Sequence, residues 1–274
     1  MFVLVFFTII FGACIGSFLN VVIFRLPRNK SFIINRSQCP KCFNKLNIFD
    51  LIPIFSWFLL RGRCRYCFKN ISIRYPIVEI ISSLLFLLCL FSNGFNYYSV
   101  PVAFNLVSGW ILVSFLIVLT IIDIDTMTLP NSLTFSCSIL GLLLLLLQDI
   151  LINKYSELYF LEHSLALVIS FLGISLFSYF LKLLMNKTVL GGGDAKLIAM
   201  SGAWLGLSGV EIVITLSFLL GGLFSLFLLL LKKIERGDYI PFGPFICLST
   251  FLVWIYGSGF WYKLLGNIFW WKYL

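Results

Sequence analysis

Charged residues are scarce in this sequence. Only 11% of its 274 residues are Asp, Glu, Lys or Arg, whereas 61% are hydrophobic and the mean hydropathy is +1.05. Soluble domains contain about 25% charged and about 45–50% apolar residues. The composition therefore excludes an ordinary soluble domain and predicts an all-α, polytopic membrane protein.

Histidine is nearly absent as well, and His163 is the single example. It has no HExxH context, which argues against a zinc protease of that type. A serine or cysteine hydrolase would lack its usual imidazole base. We expect His163 to lie at the outer membrane interface.

The apolar runs predict about eight transmembrane helices, because a helix needs about 20 apolar residues to cross the hydrocarbon core. The first run has no basic segment or small-residue cleavage site, so we interpret it as a retained span. The sixth is short and rich in small residues, which leaves a re-entrant helix as an alternative. The candidate spans are 2–24, 77–93, 101–122, 131–148, 163–181, 196–208, 210–231 and 242–262.

The basic residues predict the orientation. The segment 25–76 holds 11 of the 20 Lys and Arg residues and a single acid, Asp50. Cytoplasmic loops are enriched in Lys and Arg, so this segment should be cytoplasmic. Eight spans then place both chain termini outside.

The net charge of +9 is explained by contact with anionic membrane lipid and requires no nucleic-acid partner.

Two aspartates stand out in the apolar background. Asp123 ends the run 106–122, and Asp194 follows three glycines. A carboxylate within a membrane helix costs about 2.5–3.5 kcal/mol on insertion scales and is a functional hypothesis by default. The eight-span topology puts both at the same membrane face, which predicts a catalytic dyad. Asp125 lies about 200° around the helix from Asp123, so we expect it to be interfacial or supportive.

Two neighbouring features have more than one interpretation. The glycines 191–193 allow a sharp turn and a close approach to a substrate strand; alternatively, they form a plain loop in which Asp194 caps the next helix. Glu79 lies early in an apolar helix. It could pair with Arg74 or Lys196, contact a substrate amine, or form only a local ion pair.

Four cysteines in the basic segment form two C-x2-C pairs, Cys39 with Cys42 and Cys64 with Cys67, separated by 21 residues. Two such turns can supply the four thiolates of a tetrahedral zinc site. Cytosolic thiols stay reduced, so disulfides are disfavoured. Structural zinc is the favoured interpretation, and a redox pair or no site at all are the alternatives.

The predicted domains are a first helix (1–24), a zinc-knuckle domain (25–76) and a membrane protease domain (77–274).

Several motifs occur in an order that resembles the prepilin peptidases, the type IV prepilin leader peptidases of bacterial pilus and type II secretion systems. They run through nearly the whole chain: 16–27 (GSFLNVVIFRLP), the paired C-x2-C knuckles, 74–79 (RYPIVE), 122–130 (IDIDTMTLP), 191–196 (GGGDAK) and 241–244 (PFGP). The fifth contains the family's GxGD motif, formed by Gly191, Gly193 and Asp194, followed by Lys196.

The resemblance implies a multi-pass aspartic endopeptidase of the bacterial inner membrane, with Asp123 and Asp194 as its catalytic pair. It implies removal of a short basic leader from prepilins or pseudopilins at the cytoplasmic face. It also implies methylation of the new N-terminus from S-adenosylmethionine in many members, although the sequence has no glycine-rich fingerprint for that cofactor. Asn131 departs from the pattern, since the family commonly has Asp there.

Two other classes of function are open from the sequence. A transporter could use membrane carboxylates as ion ligands, but it predicts internal repeats, and none is evident. An inactive pilus or secretion assembly factor would have lost one of the essential aspartates, and both are present.

Overall fold

The computed structural model describes residues 2–28, 30–31, 37–39, 41–92, 100–152, 157–185, 191–235 and 239–269. Within these ranges the extended regular structure is helical, which confirms the all-α prediction. The α-helices are α1 (Phe2–Arg25), α2 (Phe55–Leu59), α3 (Arg74–Ser92), α4 (Val100–Thr126), α5 (Asn131–Ile152), α6 (Glu157–Met185), α7 (Gly192–Leu230), α8 (Gly243–Tyr256) and α9 (Ser258–Phe269).

The number of helices that could span a membrane is close to the prediction. Six of the described helices, α1 and α3 to α7, are long and apolar enough. A seventh is added if α8 and α9, which are bent by 105° relative to each other, cross as one broken span. The sequence predicted about eight. The difference lies in α7, because the predicted spans 196–208 and 210–231 both fall within this one helix.

Helix α7 is broken at Gly206. Its 39 residues would extend about 58 Å at 1.5 Å per residue, nearly twice the hydrocarbon thickness of about 30 Å. Gly206 has φ 71° and ψ −176°, a conformation that glycine adopts without a steric penalty. The arm before the break covers about 21 Å, which is short of a full crossing in a straight line. The predicted separation of two spans thus corresponds to a break within one helix.

His163 supports this break from the neighbouring helix. Its Nδ1 lies 3.2 Å from the carbonyl oxygen of Ala203, one turn before Gly206. The side chain is only 2% exposed and packs against the Tyr159 ring, which is tilted by 44° to it. His163 is therefore buried within the protein, and its location at the outer membrane interface stays a prediction. A break in a helix releases carbonyl groups that need a donor, and the imidazole is placed to supply one.

The described chain forms two compact units. The first contains α1, the cysteine-containing segment, α3 and residues 105–118 of α4. Its helices approach closely at small residues: a Cβ on Gly12 would lie 2.7 Å from Cα of Ser83, and a Cβ on Gly16 would lie 2.8 Å from Cα of Glu79. The Ser82 hydroxyl donates to the Gly12 carbonyl at 2.7 Å. Small residues and hydroxyl bonds are the usual means of packing helices in membranes.

The second unit contains the start of α4 (100–104) and its end from Leu119, together with α5 to α9. Its centre is the first arm of α7, where Leu197, Ile198 and Met200 are fully buried. Trp204 donates its indole N–H to the Cys137 carbonyl of α5 at 3.0 Å, and Gly141 of α5 leaves room for that ring. This packing holds the start of α7 in a fixed position, which matters because Asp194 lies in its first turn.

Candidate active site and metal centre

Asp123 lies in the last turn of α4 and is 5% exposed. Its Oδ2 accepts a hydrogen bond of 3.0 Å from the backbone N–H of Gly243, the first residue of α8. A Cβ on Gly243 would lie 2.6 Å from that same oxygen. Glycine is therefore required at position 243 by the close approach of the backbone to the carboxylate.

Asp194 lies on the opposite side of the candidate site, in the first turn of α7. Gly191 is the N-cap residue, and Asp194 is the third residue of the helix. Its Oδ2 accepts the Gly191 N–H at 3.1 Å, while its own N–H donates to the Gly191 carbonyl at 3.1 Å. The interpretation of Asp194 as the N-cap residue was thus wrong by three positions. The glycine turn instead fixes the carboxylate by a reciprocal pair of hydrogen bonds.

The two carboxyls are neighbours within the second unit. They are close enough to interact electrostatically. Cys247 of α8 is buried and interacts with both, and its thiol bonds to Thr120 of α4. Interacting carboxyls favour a state in which only one of the two is ionised. The arrangement can therefore supply one acid and one base to the same bond.

Asp125 is excluded from this pair by its direction on α4, since it is exposed while Asp123 is buried. Its location agrees with the helical geometry expected from the sequence.

Lys196 holds the loop between α4 and α5 against the start of α7. Its Nζ donates to Oδ1 of Asn131 at 2.7 Å. Gly193 adds a second contact, because a Cβ there would lie 3.2 Å from the side chain of Leu129. The residue at which the sequence departs from the resembled pattern is thus the partner of Lys196. An amide oxygen keeps the hydrogen bond but leaves the positive charge uncompensated.

Glu79 lies in the first unit and is 7% exposed. Its Oε2 accepts the backbone N–H of Ile54 at 2.7 Å. This long-range bond ties α3 to the cysteine-containing segment, whereas the sequence suggested Arg74, Lys196 or a substrate amine as the partner. Glu79 also borders a cavity of about 590 Å³ in the same unit, together with Ser17, Asn20 and Trp57.

The four cysteines come together as the spacing predicted. The four Sγ atoms lie within 4.8 Å of one another, with Cys39 and Cys64 buried and Cys42 and Cys67 half-buried. Sγ of Cys39 and Sγ of Cys67 are 3.9 Å apart. Tetrahedral zinc with Zn–S bonds of about 2.3 Å requires sulfurs separated by about 3.8 Å. The quartet therefore fits a structural zinc ion.

Backbone N–H groups change the pKa values of these thiols. Burial opposes the ionisation of Cys39, but the N–H groups of Cys42 and Lys41 outweigh it and lower the pKa of Cys39 to about 7. The Asn44 N–H favours a thiolate at Cys42, yet burial and the neighbouring thiols raise the pKa of Cys42. Four thiolates cannot coexist here without a positive ion to offset their charge.

Comparison with known proteins identifies the family. A family model described as the bacterial peptidase A24 N-terminal domain matches residues 10–93, and one described as the type IV leader peptidase family matches residues 110–226. The prepilin leader peptidase/N-methyltransferase of Aeromonas salmonicida (strain A449) is 34% identical, over 92% of this chain and 91% of that protein. This chain belongs to the type IV leader peptidase family.

Other relatives in the family carry the same name. Those of Neisseria gonorrhoeae and Legionella pneumophila are each 33% identical over 92% of this chain, covering 90% and 92% of their own lengths. No solved structure matches the chain. The family resemblance drawn from the motifs is confirmed, and the assignment of catalytic roles to individual residues stays a prediction.

Gly243 is a site residue that the sequence did not single out. The motif 241–244 was recognised as part of the leader peptidase pattern, but a backbone N–H has no side-chain signature that would assign it to Asp123. Its distance of 120 residues along the chain from Asp123 also hides the contact. Cys247, one helical turn further along α8, belongs to none of the motifs and has no sequence signal that would assign it to the site.

The contact at Gly243 predicts the effect of adding one carbon. Gly243→Ala should displace the Asp123 carboxylate, because the new Cβ would overlap its Oδ2. A misplacement of about 1 Å in a catalytic group costs roughly 10²-fold in rate. We expect a loss of that order in cleavage, measured with purified enzyme and a prepilin. Gly222→Ala is the matched control, since its Cβ would meet nothing within 4 Å. Equal activities of the two variants would contradict the role of Gly243.

The bond between Lys196 and Asn131 predicts a coupling between these two residues. Hydrogen bonds to charged groups contribute about 1.5–3 kcal/mol, so Lys196→Met or Asn131→Ala should each slow cleavage roughly tenfold. The double variant should be no slower than either single one, because both changes remove the same bond. Asn131→Asp should retain activity. Lys182→Met, near the end of α6, is the control, and multiplicative losses in the double variant would refute the coupling.

Proposed function

We propose that this protein is a prepilin leader peptidase and N-methyltransferase, which cuts short basic leaders from prepilins or pseudopilins and methylates the new N-terminus. Membership of the family and the shared name of relatives aligned over nine-tenths of the chain support the activity. The observation that carries the chemistry is the pairing of Asp123 with Asp194 at the meeting of α4, α7 and α8. A transporter is not favoured by any of these findings.

The dyad performs acid–base catalysis of peptide hydrolysis. Two adjacent carboxyls hold one proton between them. The ionised member removes a proton from a water molecule, and that water attacks the scissile carbonyl carbon. The protonated member donates to the carbonyl oxygen and, after proton exchange, to the departing amine. This is the division of labour used by aspartic proteases generally.

The residues around the dyad keep it in position. The Gly243 N–H and the Gly191 N–H each hold one carboxylate oxygen, so neither side chain needs to reorganise as charge develops. Lys196 and Asn131 fix the start of α7. Gly193 brings the backbone of that turn against Leu129. We assign these residues to positioning rather than to proton transfer.

The site faces the cytoplasm of the bacterial inner membrane in this proposal. Segment 25–76 contains 11 basic residues, and such a concentration is typical of a cytoplasmic loop. The leader is itself basic, so this segment would repel it. The leader's charge is better accommodated by anionic lipid headgroups, and the segment would then face lipid or the apolar start of the mature pilin.

Two cofactors belong to the proposal. The cysteine quartet would hold a structural zinc ion that folds the segment between α1 and α3. S-Adenosylmethionine would donate the methyl group, and the cavity bordered by Glu79, Ser17 and Trp57 has the size of a small-molecule site.

The function is tested by incubating the purified enzyme with a prepilin and measuring the masses of the products by mass spectrometry. We expect the mass of the leader-free chain without a methyl donor and one additional methyl group with S-adenosylmethionine. Uncut prepilin both with and without S-adenosylmethionine would refute the peptidase assignment. Cleavage without any mass increase would remove only the methyltransferase.

The proposed orientation predicts which side of the membrane reagents can reach. Single cysteines at Lys182 and Glu235, in a background that keeps only the four knuckle cysteines, should be labelled by an impermeant maleimide only after the inner membrane is opened. The reason is that both positions lie on the cytoplasmic side in the eight-span topology, which counts the two arms of α7 on either side of the Gly206 break as separate spans. A cysteine at Lys263, predicted to be outside, is the control. Labelling of position 235 in intact spheroplasts would overturn the topology.

A further inference from the structure

The two cysteine knuckles share an unusual feature that the proposed function does not use. In each, the N–H of the residue after the second cysteine donates to the carbonyl of the first cysteine at 2.9 Å. That residue is Phe43 in one knuckle and Phe68 in the other. Their φ angles are 59° and 56°, a left-handed conformation that bulky residues rarely adopt and glycine adopts freely.

Neither phenylalanine is buried in the first unit, although Phe43 borders its cavity. Phe43 is 69% exposed and Phe68 is 73% exposed. Both knuckles therefore display a large apolar ring at a backbone position where glycine would be unstrained. Backbone strain of this kind is a reason to look for a function outside the fold itself.

The charges beside the rings indicate what the rings contact. Lys41 and Lys45 flank the first ring, and Lys69 follows the second; all three are exposed. Aromatic rings interleaved with lysine are typical of surfaces that enter the boundary between lipid headgroups and acyl chains. Each basic residue near an anionic leaflet adds attraction.

The connections to the membrane bring such a surface within reach of lipid. The knuckles lie between α1, which ends at Arg25, and α3, which begins at Arg74, and both helices are candidate spans. A segment that joins consecutive spans leaves and re-enters the bilayer at the same face. The two spans hold the segment close to lipid, so the local concentration of lipid is high. Weak insertion of two rings is then enough to keep the segment at the membrane surface.

We propose that the Phe43 and Phe68 rings insert together into the anionic membrane surface and anchor the cysteine segment there. The occupant of this surface is the phospholipid bilayer itself, with the rings below the headgroups and the lysines at phosphate level. This inference concerns the placement of the segment and does not depend on the catalytic roles of Asp123 and Asp194.

The test uses the full chain in lipid nanodiscs. A fluorescent noncanonical amino acid replaces Phe43 or Phe68, and brominated acyl chains report contact by quenching. We expect strong quenching at both positions in discs that contain phosphatidylglycerol, less in pure phosphatidylcholine, and less at Asn70, an exposed polar position. Absence of quenching at both positions in the anionic discs, with cleavage intact, would overturn the proposal. Quenching that is lost when prepilin is added would show a substrate surface instead, with the same consequence.

A second variant separates anchoring from folding. Phe43→Gly relieves the backbone strain, so metal content and hydrogen exchange of the segment should be unchanged or improved. Removing one of two linked anchors should nevertheless weaken quenching at position 68, by roughly tenfold in the partition ratio for a ring that is buried in lipid. Phe43→Leu should restore it. Unchanged quenching at position 68 in Phe43→Gly would refute the joint anchor.

Discussion

Asp123→Asn and Asp194→Asn should each abolish prepilin cleavage while leaving membrane insertion intact. An amide can neither remove a proton from water nor share one with the other carboxyl. Loss of general acid–base catalysis alone costs roughly 10²–10⁴-fold, and loss of the shared proton removes both roles at once. The measurement is the initial rate of leader release by purified protein, with the helical content of each variant confirmed by circular dichroism.

Asp125→Asn is the matched control, because it makes the same chemical change two residues away on an exposed face. It should retain substantial activity. The double variant Asp123→Asn/Asp194→Asn should be no slower than either single one, since groups that act as a unit are not additive. Substantial cleavage by either single variant would remove that residue from the mechanism. The methyltransferase activity, assayed on a pre-cleaved pilin, should survive in both.

The sequence was sufficient for the parts of this site that depend on local spacing. The end of an apolar run placed Asp123 at the end of a helix, and two C-x2-C turns brought four sulfurs within 4.8 Å. The alternation between Asp123 and Asp125 followed from 3.6 residues per turn. These inferences succeeded because each depends on residues close together in the chain, where geometry is fixed by the helix or the turn.

The features that escaped prediction depend on contacts between distant segments. The backbone N–H groups of Gly243 and Ile54 bind Asp123 and Glu79, and a backbone donor has no sequence signature. His163 lies near a helix end, and its buried acceptor, the Ala203 carbonyl beside the break in α7, could not be foreseen from its place in the chain. The break itself was placed between two spans because hydropathy reports apolar length and not continuity of the backbone.

Asn131 shows how a departure from a pattern can be interpreted once its partner is known. From the sequence it was only a missing carboxylate beside a proline. In the structure it accepts a hydrogen bond from Lys196, a role that an amide oxygen and a carboxylate can both fill. The substitution therefore preserves the connection between the two helices and alters the charge near the site.

Removal of zinc should unfold the cysteine segment without unfolding the helices around it. We expect one zinc ion per chain by elemental analysis of carefully purified protein. Structural zinc sites contribute on the order of 10 kcal/mol of apparent binding free energy in small domains, and that energy is folding energy. Cys42→Ser should therefore lower the zinc content sharply and increase amide hydrogen exchange across residues 41–73. Cys14→Ser is the control, because that cysteine is exposed on α1 and lies outside the quartet.

The pH dependence gives an independent check on the same site. The pKa of Cys39 is lowered to about 7 from an ordinary value of 9.0. A group with a depressed pKa stabilises the folded form above its ordinary value and loses that contribution as the pH falls through the lowered value. Above about pH 9 the raised pKa of Cys42, about 11, acts in the opposite direction, so the metal-free segment should be most protected near pH 9 and lose protection towards pH 7. With zinc bound, the loss of protection should move to lower pH, because protons must then compete with the metal for the thiolates.

Protein that contains no zinc and shows the same hydrogen exchange in Cys42→Ser as in the parent would exclude a metal centre here. The four cysteines would then be reduced thiols held in place by the backbone turns of their knuckles.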